Sequence, residues 1–89
     1  MYKVVYTKNA QKDLKKLELK NAQRIIKKIS HYSRQKNPLG FAKPLKNILL
    51  GQYRFKIGNY RVIFDVGKNG KIRILFILSI KHRKRVYRI

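Results

Sequence analysis

The hydrophobic positions of this chain fall into a helical half and an extended half, with a turn signal between them. Tyr2-Lys3-Val4-Val5-Tyr6 is rich in aromatic and β-branched residues and roughly alternates, which predicts a short strand. Thr7 ends that strand and is placed to cap a helix whose apolar positions Ala10, Leu14 and Leu17 recur at i, i+4, i+7. A second stripe, Ala22, Ile25, Ile26, Ile29 and Tyr32 or Ser33, follows a weakly marked break between Glu18 and Asn21. Two amphipathic helices joined so closely predict an αα-hairpin that buries both stripes on one surface. Asn37-Pro38-Leu39-Gly40 closes the helical half, because Pro38 disfavours helix at Asn37 and Gly40 permits a positive φ.

From Gln52 the period shortens to two. Tyr53, Phe55 and Ile57 alternate with Arg54 and Lys56, and Tyr60, Val62, Phe64 and Val66 alternate with Arg61, Ile63 and Asp65. Ile72 to Ile80 is apolar at nearly every position, the pattern of a strand inside a sheet, and Gly67-Lys68-Asn69-Gly70 supplies the turn before it. The predicted fold class is therefore α+β: an N-terminal strand and an α-helical hairpin packed on one face of a mainly antiparallel four-stranded sheet, the other face open. No repeat or linker interrupts the pattern, so one domain spanning residues 1–89 is expected.

The two-residue loop Gly58-Asn59, with glycine first, suits a type II′ turn and fixes the hairpin register by counting. Ile57 then faces Tyr60, Lys56 stands opposite Arg61 and Arg54 opposite Ile63, while Phe55 pairs with Val62 and Tyr53 with Phe64. The aromatic side is core, and Arg54, Lys56 and Arg61 share the open face. Like charges directly opposite in a sheet are destabilising, so their grouping points to an anionic ligand. The last strand runs back antiparallel, which carries Lys81, His82 and Arg83 towards the Gly58-Asn59 end.

Composition sharpens this reading. Lys and Arg number 24 against 3 Asp and Glu, a net charge of +21, and the chain has no Cys. A folded chain of this length has a radius of gyration of about 12 Å, so the cations lie within roughly a Debye length of one another at physiological salt. A polyanionic partner is expected, and nucleic acid, an anionic membrane surface or an acidic protein would each satisfy the charge. The lack of Cys removes disulfides, thiolate metal sites and Cys nucleophiles together. No apolar run suggests a membrane span or signal peptide, so a cytoplasmic location with no membrane partner is expected. Asp13, Glu18 and Asp65 are scattered, His31 and His82 lack metal-ligand spacing, and the 5 glycines form no phosphate-cradling motif. No metal and no small-molecule cofactor is expected.

The segments Tyr2 to Leu17, Lys43-Pro44-Leu45-Lys46, Gln52 to Phe64 and His82 to Tyr87 together resemble the RelE/ParE superfamily of toxin–antitoxin toxins, most closely its RelE-like ribonucleases. The most specific part is Tyr53-Arg54-x-x-x-Gly58-x-Tyr60-Arg61 followed by a terminal His82-Arg83-x-x-x-Tyr87, and the likeness covers the whole chain. The resemblance implies a RelE-like fold and the toxin of a type II module, an endoribonuclease that enters the ribosomal A site and cuts mRNA. Cleavage would proceed without metal, through attack of a ribose 2′-hydroxyl on the adjacent phosphodiester, and would inhibit translation. It implies that Lys56, Arg61 and Arg83 match catalytic positions and that Arg54 stands where such toxins place a catalytic Lys. Arg keeps that charge but is a poorer proton acceptor, so Lys56 is the expected base. His82 or Arg83 would assist the leaving 5′-oxygen. Tyr87 matches a base-stacking Tyr, with Lys46, Lys81 and Arg85 as further RNA-binding candidates. The implied partners are ribosomal RNA, mRNA and a cognate acidic antitoxin. The alternative is a ParE-like inhibitor of DNA gyrase that lacks nuclease activity.

Overall fold

Thr7 turns the first strand into the first helix, as its position in the hydrophobic pattern predicts. The structure, a computed structural model, describes residues 1–86. Its elements are β1 (Tyr2–Tyr6), α1 (Lys8–Lys15), α2 (Leu19–Ser33), a 3-10 turn over Pro38–Phe41, β2 (Ala42–Pro44), β3 (Tyr53–Ile57), β4 (Tyr60–Asn69), β5 (Ile72–His82) and α3 (Arg83–Val86). The strands lie in the order β1-β5-β4-β3-β2, with β1 parallel to β5 and the other neighbours antiparallel. The α+β arrangement is the one the sequence predicts, but the sheet has five strands rather than four. The added strand, β2, is three residues long, too short to display a period, and it carries Pro44, which suits only an edge.

The β3–β4 hairpin has the register obtained by counting: Lys56 pairs with Arg61, Arg54 with Ile63 and Phe55 with Val62. Gly58 adopts φ 59° while Asn59 stays at negative φ, as a type II′ turn requires. β4 runs on through Gly67 to Asn69, so the turn before β5 is tighter than the Gly67–Gly70 loop the sequence suggests. Gly67 sits within the strand because the Phe76 ring lies across it; a Cβ there would stand 2.6 Å from Phe76 Cε2.

Phe55, Val62, Phe64, Leu75 and Ile77 of the sheet and Ala10, Ile25, Ile29 and Tyr32 of the helices form the core. The radius of gyration is 12.3 Å. A ladder of rings crosses this core, Tyr53 on Phe64 (5.7 Å between centroids), Phe64 on Phe55 (4.3 Å), Phe55 on Tyr32 (4.8 Å) and Tyr32 on Phe41 (4.6 Å). None of the described helices is long and apolar enough to cross a membrane.

β1 ends opposite Ile77, which leaves the remainder of β5 without a strand on that side. Polar side chains of the β1–α1 segment replace it. The Thr7 hydroxyl accepts the Ala10 N–H as an N-cap and donates to the Ile77 carbonyl at 3.0 Å. Asn9 Nδ2 donates to the Leu78 carbonyl at 3.0 Å, and the buried Asp13 carboxylate accepts the Ile80 N–H at 2.9 Å. Buried backbone groups need such partners.

The face away from the helices is not wholly open, as the sequence suggests it should be. The loop 45–52 folds back over it until Gly51 touches Ile63 and Leu78, where a Cβ would come within 2.6 Å of Ile63 Cγ2. Its base is clasped by Asp65, whose Oδ1 accepts the Gln52 N–H at 2.8 Å, and by Gln52 Oε1, which accepts the Val66 N–H at 2.9 Å. That face is therefore divided into an apolar portion under the loop and a cationic portion at the β2–β3–β4 end.

Candidate nucleic-acid interface

Strand alternation alone assembles the cationic portion. Cross-strand pairing sets Lys43 of β2 opposite Arg54, and Lys56 opposite Arg61, which in turn stands opposite Lys81 of β5. Phe41, Lys43, Arg54, Lys56 and Arg61 line one cavity of about 280 Å³. Arg61 is buried at 5% exposure, Arg54 is half-buried, and Lys43 and Lys56 are open to solvent. A buried guanidinium flanked by exposed ammonium groups can hold a phosphate with directional bonds and gather charge around it. Without an anion the repulsion between opposed cations works against the fold.

The remaining sequence candidates do not all join this cavity. β5 carries an irregularity at which Ile63 pairs with Ser79 but Phe64 pairs with Ile77, so Leu78 is an extra residue. Beyond it Ile80 enters the core, and His82 lies opposite Tyr60 on the helical side, ring against ring at 5.5 Å. Lys81 reaches Asp13, with Nζ 3.7 Å from Oδ2. Asp13, Lys16, Leu17, Tyr60, Ile80, Lys81, His82 and Lys84 line a separate cavity of about 510 Å³. His82 and Lys81 are thus brought to each other and to α1, apart from the Arg54–Lys56–Arg61 group. Arg83 is exposed, and its backbone N–H donates to the Asn59 carbonyl at 2.7 Å, which holds the start of α3 at the hairpin tip. Lys46 is exposed in the loop after β2 and lines neither cavity. Tyr87 and the side chain of Arg85 lie outside the described residues.

Two cavity residues are missing from the sequence-based set, Lys43 and Phe41. Lys43 becomes visible only once β2 is known to pair with β3. Phe41 follows the Pro38 turn signal, and nothing in a period marks it. Neither of the buried or half-buried carboxylates lines this cavity: Asp13 is held at β5 and Asp65 at Gln52. Among the described residues no three His, Asp or Glu side chains are grouped as metal ligands would be.

The family model of the ParE toxin of the type II toxin–antitoxin system parDE matches residues 4–87. Among solved structures, the chain is similar to one in the RelBE2 toxin–antitoxin complex from Mycobacterium tuberculosis, with 29% identity, a TM-score of 0.75, and 92% of this chain and 98% of that chain covered. It is also similar to a chain of the archaeal RelE–RelB complex from Pyrococcus horikoshii, at 26% identity and TM-score 0.65, covering 94% of this chain and 97% of that one. A YoeB/ParE toxin from Agrobacterium tumefaciens, 18% identical, shares the fold at TM-score 0.66 over 90% of this chain and 97% of its own. No curated protein sequence is a significant match. A family match over nearly the whole length, on a chain whose strands and helices superpose on those of RelE toxins, identifies it as a member of the ParE toxin family of type II toxin–antitoxin systems, within the RelE/ParE superfamily.

Proposed function

We propose that this toxin is a ribosome-dependent, metal-independent mRNA endoribonuclease. The observation that carries the reading is the gathering of Arg54, Lys56 and Arg61, with Lys43, around one cavity on the face away from the helices. In this mechanism a phosphodiester of mRNA in the ribosomal A site sits in the cavity. Lys56 takes the proton of the adjacent ribose 2′-hydroxyl, which attacks phosphorus in line with the leaving 5′-oxygen. Arg54 and Arg61 donate hydrogen bonds to the equatorial oxygens as negative charge builds on them. Arg83, anchored at the hairpin tip, stabilises the departing oxygen by hydrogen bonding, since a guanidinium does not readily release a proton. The departing oxygen takes its proton from solvent water, and the products are a 2′,3′-cyclic phosphate and a free 5′-hydroxyl.

Primer extension on an mRNA in a purified translation reaction tests the reading. Ribosome-dependent cuts are expected from the wild type, with a loss of about 10²-fold or more for Lys56→Ala, which is exposed and leaves the core intact. Comparison of Arg83→Ala with His82→Ala assigns assistance to the leaving group; a large loss in the second and none in the first would move it to His82. The match to the ParE family model favours a second reading, inhibition of DNA gyrase without nuclease activity. A supercoiling assay in which wild type and Lys56→Ala inhibit equally, with no mRNA cut by either, would establish that reading and displace the first.

Two of the similar solved chains come from toxin–antitoxin complexes, and we extend the same pairing to this chain. Its antitoxin is expected to be acidic, to offset a net charge of +21, and to order on binding.

A further inference from the structure

Phe41 has an unusual setting. It lies at the end of the 3-10 turn, beside the β2 edge of the sheet, where the chain passes from the helical side to the cationic face. One face of its ring stacks on the buried Tyr32, with the two planes 19° apart, and Tyr32 in turn rests on Phe55 in the core. Even so, 49% of Phe41 remains exposed, and the residue forms a wall of the cavity otherwise made by Lys43, Arg54, Lys56 and Arg61. An aromatic ring whose only task was to seal the core would be expected to bury more of its area. A ring braced from behind and open in front is preorganised to receive a second flat surface, because little rotamer freedom is left to lose on binding.

From this placement we infer that Phe41 is a stacking platform for a nucleobase next to the phosphate held by the cationic cavity. The inference rests on the proposed RNA-binding role of that cavity and adds a base subsite to it. The ligand class is a single-stranded nucleotide segment: the phosphate goes to Arg54, Lys56 and Arg61, and the flanking base turns out of its own stack onto Phe41. Stacking tolerates any base, so the subsite contributes affinity and positioning of the phosphodiester more than sequence choice.

The test uses a fully 2′-O-methylated trinucleotide, which cannot be cleaved, and the same backbone with its bases removed, both titrated against the purified full chain. Wild type is expected to bind the base-bearing probe about 5- to 100-fold more tightly than the abasic one, and Phe41→Ala to bind the two within about 2-fold of each other. Should Phe41→Ala fail to fold, Phe41→Leu, which keeps an apolar contact with Tyr32 but has no π face, is read in its place. The chain contains no Trp, so Phe41→Trp gives a single reporter whose fluorescence should be quenched by the base-bearing probe and not by the abasic one. Equal affinity of wild type for the two probes, a base preference that survives loss of the ring, or no measurable binding overturns the inference. The outcome is separable from that of the nuclease reading. Ribosome-dependent cleavage without a base preference at Phe41 removes the subsite alone, and a Phe41-dependent base preference with no cleavage keeps the subsite and removes the nuclease.

Discussion

Replacing Asp13 by Ala removes at once the acceptor of the Ile80 N–H and the partner of Lys81. The amide would be left without its buried acceptor, so Asp13→Ala is expected to lower stability by about 1–3 kcal/mol in urea unfolding, and Asp13→Asn, which keeps an acceptor oxygen, by less. An unchanged unfolding midpoint in the Ala variant would show that water replaces the carboxylate. Tyr6 supplies a second residue-scale measurement. Burial pushes its hydroxyl pKa up from 10.0 to about 12, because the phenolate loses hydration. The unfolded chain therefore releases this proton first, and the contribution is fully present below pH 10 and lost as pH rises towards 12. Stability measured across that window should fall less steeply for Tyr6→Phe than for wild type. The scarcity of acids was legible in the sequence as the absence of a paired acid/base site. The use made of Asp13 and Asp65 was not, since each accepts a backbone N–H from a strand or loop far along the chain.

Secondary structure followed its periodicities where a period had room to appear. The β3–β4 register could be counted because a two-residue loop leaves no slack, and with it came the co-facial placement of Arg54, Lys56 and Arg61. β2 and β5 were less readable for opposite reasons. β2 is too short to alternate, which hid Lys43. β5 is apolar on both faces, so no pattern announces where Leu78 is inserted or that His82 turns towards Tyr60. The loop 45–52 gave no periodic signal either, yet it covers Ile63. Gly51 permits that approach, with φ 151° and no side chain between the loop and Ile63. Gly51→Ala is expected to destabilise by about 1–3 kcal/mol through overpacking. Ile63→Ala, which removes the methyl it meets, should recover part of that loss in a double-mutant cycle of thermal melts. Strictly additive losses would mean that the loop does not press on the strand.

Across the whole molecule, charge is distributed by the folding of the sheet rather than by the order of residues along the chain. Lys16, Lys81 and Lys84 gather on the helical side, and Lys43, Arg54, Lys56 and Arg61 on the other. RNA affinity is expected to fall steeply with salt, and Lys43→Ala should reduce the slope of log K against log[salt] by about 0.7 if Lys43 meets one phosphate of a single strand. An identical slope would place Lys43 outside the contact. Sequence composition leads to the expectation of a polyanionic partner, but only the sheet order shows two separate basic cavities. The extra residue in β5 has a final consequence for how this architecture can diversify. Simple alternation counted from Ile77 would put Ile80 outside the core and His82 on the cationic face, and the one inserted residue, Leu78, brings both back to the helical side. The His82 imidazole is thus kept on the Tyr60 side, away from the cationic cavity, by the length of the strand and not by the identity of any residue in it. In this fold insertion and deletion, and not replacement alone, can redistribute the chemistry presented on each side of the sheet.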